Sequence, residues 1–187
     1  MDESTEGVTL YAGFVFDVVN EYRSMGRACA PLFEMVQHLD PNDPTRQVPM
    51  QLYNDVCAWV ERSFGRANIR DAGRAIGKRA FDQMVKDGVI KAGITPPEIL
   101  EQLKRVASIM IQDPKGRGWE ILESADRRVV MRRTQTFNCP LQEGLLVSLV
   151  ERAGATLPRV AHSKCARQGA EFCDYEVTWT GRARPHH

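Results

Sequence analysis

The spacing of apolar residues changes period once along this chain, near residues 113–118, and nothing else in the sequence constrains its fold as much. Upstream, apolar side chains recur every three or four residues. Met50, Tyr53, Val56, Cys57, Val60 and Phe64 form one such stripe, with Pro49 as a first helical position. A second helix is predicted over about 69–86, carrying Ile69, Ile76, Phe81, Met84 and Val85. Gly73, Gly77 and Ala80 lie along one of its sides, where small residues admit a close neighbour, and Asp87-Gly88 ends it. Thr95 caps a third helix entered through Pro96-Pro97, with Ile99, Leu100, Leu103, Val106, Ala107, Met110 and Ile111 inward. Before these, Phe14 to about Leu39 reads as helix that bends or breaks at Gly26 and Pro31.

Downstream the period falls to two. Trp119–Glu123 and Arg127–Phe137 read as paired strands around a turn near Ala125-Asp126, and Pro140–Ala153 as a helix with Leu141, Leu145, Leu149 and Ala153 inside. Arg159–Lys164 and Phe172–Trp179 read as two closing strands. In the last, Cys173, Tyr175, Val177 and Trp179 alternate with Asp174, Glu176 and Thr178, as in a half-buried strand. The predicted class is α+β, N-terminal helices followed by a ββαββ lobe. A chain of 187 residues suits one domain, expected over 13–180. Its helical part covers about 13–113 and its ββαββ part about 117–180, between a flexible N-terminus (1–12) and a disordered basic tail (181–187).

Composition narrows the function classes. A net charge of +1 gives no electrostatic footprint of a dedicated nucleic-acid binder. No run approaches the ~18 apolar residues of a membrane span. Met1-Asp2-Glu3-Ser4 is acidic where a secretory signal is basic, so a cytoplasmic, reducing location is expected. No Ser-His-Asp set, catalytic carboxylate pair, dinucleotide loop or P-loop can be assembled, and a non-enzyme is expected. The acids of Asp40-Pro41-Asn42-Asp43-Pro44 belong to a turn and lack the spacing of a calcium loop.

In a reducing compartment, clustered cysteines are metal ligands or reactive thiols more often than disulfides. Three of the five cysteines, Cys139, Cys165 and Cys173, gather with His162 in the last quarter of the chain. Cys165 and Cys173 stand at the two ends of the final connection, His162 three residues earlier, and Cys139 at the expected N-cap before Pro140. Three thiolates and an imidazole make the ligand set of a closed tetrahedral structural zinc site. By residue type alone a second reading stands beside it: small buried apolar residues with a surface histidine. Cys29 and Cys57 lie on apolar stripes and read as core. Arg127, Arg128, Arg132 and Arg133, interleaved with Val129–Met131, read as a guarded strand edge, with an acidic partner as the alternative.

The segment Cys139-Pro-Leu-Gln-Glu-Gly144, followed by His162-Ser-Lys-Cys165-Ala-Arg167-Gln-Gly169-Ala-Glu-Phe-Cys173-Asp-Tyr175-Glu-Val177, resembles the closing half of a 4-vinyl reductase domain. It is also similar to the sensor domains of aromatic-responsive NtrC-type activators. In those sensors a Cys, an acidic residue and two further Cys hold zinc at intervals of 23, 3 and 8, the intervals that separate Cys139, His162, Cys165 and Cys173 here. His162 stands where the sensors have a carboxylate. The resemblance implies the fold shared with haem-nitric-oxide domains and TRAPP subunits, and the layout also resembles stand-alone myxobacterial-type members of that superfamily. It implies structural Zn2+ on Cys139, His162, Cys165 and Cys173, with Lys164 and Arg167 offsetting the site's formal negative charge. It also implies a pocket for a small apolar or aromatic ligand, for which Trp119, Phe81, Met84, Phe137 and Tyr175 are the candidate lining, core filling being the alternative. The histidine that reads a phenol in the sensors has no counterpart, since His38, His186 and His187 are remote. The haem-nitric-oxide relatives use an axial His on the helix before the sheet and a Tyr-x-Ser-x-Arg trio. The helix 96–112 lacks the first, the chain lacks the second, and no haem is expected. The function so implied is a zinc-stabilised, non-enzymatic sensory domain, a homodimer working through a protein effector without touching nucleic acid. A TRAPP-like dimeric interaction module without a dedicated ligand is the alternative.

Overall fold

The computed structural model describes residues 5–182. Thr9–Tyr11 forms β1, followed by helix α1 (Ala12–Glu21), a 3-10 stretch (Arg23–Cys29) and helix α2 (Ala30–Val36). Strand β2 (Gln47–Pro49) leads into the long helix α3 (Met50–Lys86), and α4 (Pro96–Met110) runs directly into β3 (Ile111–Gln112). Strands β4 (Trp119–Ala125) and β5 (Arg128–Arg133) precede helix α5 (Cys139–Arg152). The chain closes with β6 (Ala155–Thr156), β7 (Arg159–Lys164), a 3-10 turn (Ala166–Gln168), β8 (Cys173–Thr178) and β9 (Gly181–Arg182). The architecture is α+β.

The N-terminal segment differs from the flexible 1–12 expected. Val8 and Leu10 are buried, and β1 is the middle strand of a small antiparallel sheet in the order β2-β1-β3. That sheet clips the chain's start to the entrance of α3 and the end of α4. Three-residue strands carry too few side chains to show a period, so the sequence offers no signal for them. At the other end Gly181 and Arg182 pair with β6, and the rest of the expected tail, 183–187, lies outside the described residues.

Gly26 takes φ 54° and breaks the first helical stretch as expected, whereas Pro31 opens α2 instead of bending a helix. The two helices predicted over 49–64 and 69–86 are one element kinked at Gly65, whose φ 87° and ψ 167° belong to a region only glycine occupies readily. Thr95 caps α4 in a full capping box with Glu98. Strand β5 stops at Arg133, short of the predicted Phe137, and 134–138 form the connection into α5.

The main sheet is antiparallel, in the order β4-β5-β8-β7. Helix α5 lies between this sheet and α3, with α4 beside it, and is buried on nearly its whole circumference. Glycines make this possible. A Cβ at Gly144 would stand 1.9 Å from the Arg70 carbonyl oxygen, one at Gly73 2.1 Å from that of Leu141, and one at Gly77 2.8 Å from that of Leu145. The small residues noted at 73 and 77 therefore serve the contact with α5 of the same chain. One hydrophobic core, from Val18 and Val56 through Leu141 to Tyr175, joins the helical and sheet parts. Among the described residues no helix is long and apolar enough to cross a membrane.

Candidate metal centre and the aromatic cage beside it

The donor atoms of Cys139, His162, Cys165 and Cys173 all lie within 4.8 Å of one another. Three local features bring them together. Asn138, not Cys139, is the N-cap of α5, its side chain accepting a hydrogen bond from the Leu141 N–H at 3.1 Å. Cys139 thus occupies the first helical turn, where free backbone N–H groups favour a thiolate. Strand β8 places Cys173 and Tyr175 on its inward face. On β7, residues three apart would ordinarily point to opposite faces. A bulge between His162 and Lys164 inserts one residue, so His162 stands opposite Tyr175 and both His162 and Cys165 turn inward.

Contacts among the four donors set how protons are held within the cluster. Cys139 Sγ and Cys173 Sγ lie 3.8 Å apart. The hydrogen bond with Cys139 draws the Cys173 thiol down against the effect of burial, helped by His162 and the Ala166 N–H, which donates to Cys173 Sγ at 3.4 Å. The same bond, with burial, pushes Cys139 up. Burial works against charge on His162, but the neighbouring Cys173 and Cys165 sulfurs and the Glu143 carboxylate outweigh it and raise its pKa to about 9. His162 Nε2 is buried and has no hydrogen-bond partner, while Nδ1 lies 3.6 Å from Glu143 Oε1. An imidazole held by a carboxylate at one nitrogen and open at the other is oriented as a metal ligand. The donors present therefore fit a tetrahedral cation such as zinc.

A charged surround holds the cluster to α3. Glu143, 8% exposed at its side chain, accepts from Arg66 at 2.5 Å and lies 3.9 Å from Arg70. Glu61 accepts from Asn138 Nδ2 at 2.6 Å and from Arg167 at 2.9 Å, joining the helix cap to the loop between Cys165 and Cys173. Of the two cations expected beside the site, Arg167 is there, whereas Lys164 turns to the outer face and pairs with Asp174 at 3.5 Å. Sequence reasoning missed Glu143 and Glu61. Glu143 was legible, since it lies four residues after Cys139 on the same face of α5; Glu61 comes from a distant helix and left no local signal.

The five residues proposed to line a pocket separate into two groups. Trp119, Phe137 and Tyr175 are buried together: Trp119 meets Tyr175 edge-on at 5.6 Å, and the Tyr175 ring stacks on His162 at 4.6 Å. Phe81 and Met84 sit elsewhere on α3. Phe81 packs under Arg152 at the opposite end of α5 from Cys139, about 20 Å away at 1.5 Å rise per residue. These five residues do not line a common pocket.

The arginine cluster also divides. Strand β5 is interior to the sheet, so it guards no edge. Arg128 and Arg132 face outward, Arg128 bonding Glu176 and Arg132 bonding Asp174 at 2.8 Å across the strands. Arg133 faces inward with Val129 and Met131 and is 2% exposed. Two-residue alternation from those valine and methionine positions was the signal available for it. Its guanidinium lies 3.8 Å from the Phe137 ring centre and 4.8 Å from that of Trp119. Cys29 and Cys57 are buried thiols of the helical core, as expected.

No protein-family model matches this chain. No curated protein matches it either. Among solved structures, an H-NOX protein from S. oneidensis in the Fe(II) ligation state is 14% identical, with a TM-score of 0.61 over 94% of this chain and 99% of that one. An H-NOX structure solved in work on heme distortion is 12% identical, with a TM-score of 0.59 over 95% and 99%. The IWP-051-bound H-NOX from Shewanella woodyi in the Fe(II)CO state is 12% identical, with a TM-score of 0.56 over 94% and 98%. At such identities the likeness establishes the fold. It also corrects the expectation of no haem, because the fold is one found in structures of a haem-carrying kind. The two described histidines, exposed His38 and cluster-held His162, give the interior no spare imidazole. This donor set does not fit axial ligation by histidine. What the chain shares with the H-NOX structures is its α+β fold.

Proposed function

We propose that this chain is a zinc-stabilised, small-molecule-binding sensory domain of the 4-vinyl reductase kind, acting by binding and not by catalysis. The observation that carries the reading is the four-donor cluster with a buried, unpartnered His162 Nε2. Three thiolates and an imidazole fill a tetrahedron and leave no position for a substrate, which supports a structural role for the metal. Cys139 on α5 and Cys165 and Cys173 at the β7–β8 connection would then be tied across the end of the sheet, with Glu143 orienting His162. Unpaired buried thiols are in keeping with a reducing cytoplasm. The cage of Trp119, Phe137 and Tyr175, next to the metal donors, supports an internal site for a small aromatic ligand. A homodimer signalling to a separate effector completes the proposal.

Native mass spectrometry with elemental analysis of the purified chain tests all of this together. One zinc per chain, carried by a dimer, is the expected result. A zinc-free preparation that is fully folded and stable would sink the assignment, and a Soret band would replace the aromatic ligand with a haem.

A further inference from the structure

The most unusual side chain in the core is Arg133. It lies at the end of β5, opposite Trp119 on one side and Cys173 on the other. Its guanidinium is walled by Trp119 and Phe137; Tyr53 packs on Phe137 at 5.2 Å and Tyr175 on Trp119. Buried arginines ordinarily meet a carboxylate, because an uncompensated charge in the interior is costly. Among the described residues none pairs with this one. Its single hydrogen bond runs from Nη2 to Gln135 Oε1 at 2.9 Å, and its Nε has no partner. Asp113 lies beyond Gln135, which donates to it at 3.1 Å, and is already paired with Arg117 at 2.9 Å. Burial lowers the arginine's pKa to about 10, which leaves it charged at neutral pH.

We propose that Arg133 is the anion-reading residue of the internal site and that the occupant is a small aromatic carboxylate. This deepens the small-molecule reading above and rests on it. The side edge of a guanidinium, Nε with Nη2, matches the two oxygens of a carboxylate. A carboxylate taking that edge displaces Gln135 from Nη2, and Gln135 keeps its bond to Asp113. The Phe137 and Trp119 rings, 3.8 and 4.8 Å from the guanidinium, favour a flat occupant, and with Tyr53 they would supply apolar walls for its ring. Asn54, which donates to the Thr136 carbonyl at 3.1 Å beside Phe137, has a buried Oδ1 without a partner, an acceptor for a ring hydroxyl on the ligand.

The test uses the full chain and benzoate, phenylacetate and naphthoate, each against its neutral amide, in calorimetric titration and thermal-shift assays. The acids are expected to bind saturably, and their amides at least about 30-fold more weakly, as for loss of a buried charged hydrogen bond. Arg133→Met, of similar volume, is expected to fold with an unchanged or higher melting temperature and to lose the acids, while Arg133→Lys keeps part of the affinity. A large fall in melting temperature for Arg133→Met would show a structural arginine and overturn the proposal. Equal binding of acids and amides, or acid binding that survives Arg133→Met, would overturn the carboxylate assignment and leave the small-molecule reading standing. Absence of any saturable binding by acids, amides or toluene would sink both. A Soret band in the purified chain that is lost in Arg133→Met would assign the carboxylate to a porphyrin and overturn the small acid.

Discussion

Replacing Gly144 with alanine tests the contact that positions the whole site. The added Cβ would stand 1.9 Å from the Arg70 carbonyl oxygen and 2.9 Å from the Arg74 nitrogen. Ordinary carbon contacts begin near ~3.5 Å, so α5 and α3 must separate by roughly 1.5 Å. Both opposing atoms belong to helical backbone, which cannot swing aside as a side chain would. The separation would also pull Glu143 from Arg66 and loosen Leu141 against Gly73. Overpacking costs about 1–3 kcal/mol where side chains can adjust, and a backbone clash belongs at or above the top of that range. The better helix propensity of alanine returns about 1 kcal/mol. A net loss of about 2 kcal/mol or more is expected, or roughly 4–8 °C in melting temperature for a chain of this size. Urea denaturation followed by circular dichroism measures it, with Gly118→Ala as a control at a position where a Cβ meets nothing within 4 Å. Gly144→Ala within about 0.5 kcal/mol of wild type would refute the close-contact reasoning.

Cys165→Ser is expected to yield zinc-poor protein without a sharp unfolding transition, because structural zinc contributes about 10–16 kcal/mol in small peptides; a full zinc complement in the variant would count against the site. Gly65→Ala forces a side chain into the region that only glycine occupies readily and is expected to lower stability by about 1–3 kcal/mol in denaturant titration. Burial would raise the Asp113 carboxyl, but hydrogen bonds from Gln135, the Lys115 N–H and Arg117 outweigh it and hold the group below its usual range. A carboxylate with a lowered folded pKa stabilises above its unfolded value and loses that stabilisation as pH falls through the folded one. Asp113→Asn should therefore be less stable than wild type by about 2 kcal/mol at neutral pH, with the two curves converging below about pH 4; a gap that persists in acid would show that the charge is not the cause.

The helices, the strands of the main sheet and the four donors were legible because each rests on local pattern: apolar period, turn chemistry and the spacing of Cys139, His162, Cys165 and Cys173. What the sequence hid depends on neighbours distant along the chain. The β2-β1-β3 sheet joins three short segments that show no period of their own. Glu61 reaches Asn138 and Arg167 from another layer. Gly65 falls between the two predicted helices, and that a single residue there kinks one continuous element shows only in its backbone angles. Arg133 was misread for a different reason. Its neighbours Arg127, Arg128 and Arg132 make the stretch look like a surface, and only two-residue alternation separates it from Arg132. Phe81 and Met84 shared an apolar stripe with the right chemistry, but helix length carried them to the far end of α5.

The ring of Tyr175 stands between the metal donors and the aromatic cluster, with His162 flat against it and Trp119 meeting it at an angle. Anything that tilts this ring shifts a metal donor and a cage wall together. If the proposed metal and ligand both bind, they would not be independent guests: whatever factor the metal applies to the ligand's affinity, the ligand must apply to the metal's. A fully loaded metal site would thus set the sensitivity of the cage, and a domain of this kind would report metal supply and ligand level as a single combined signal.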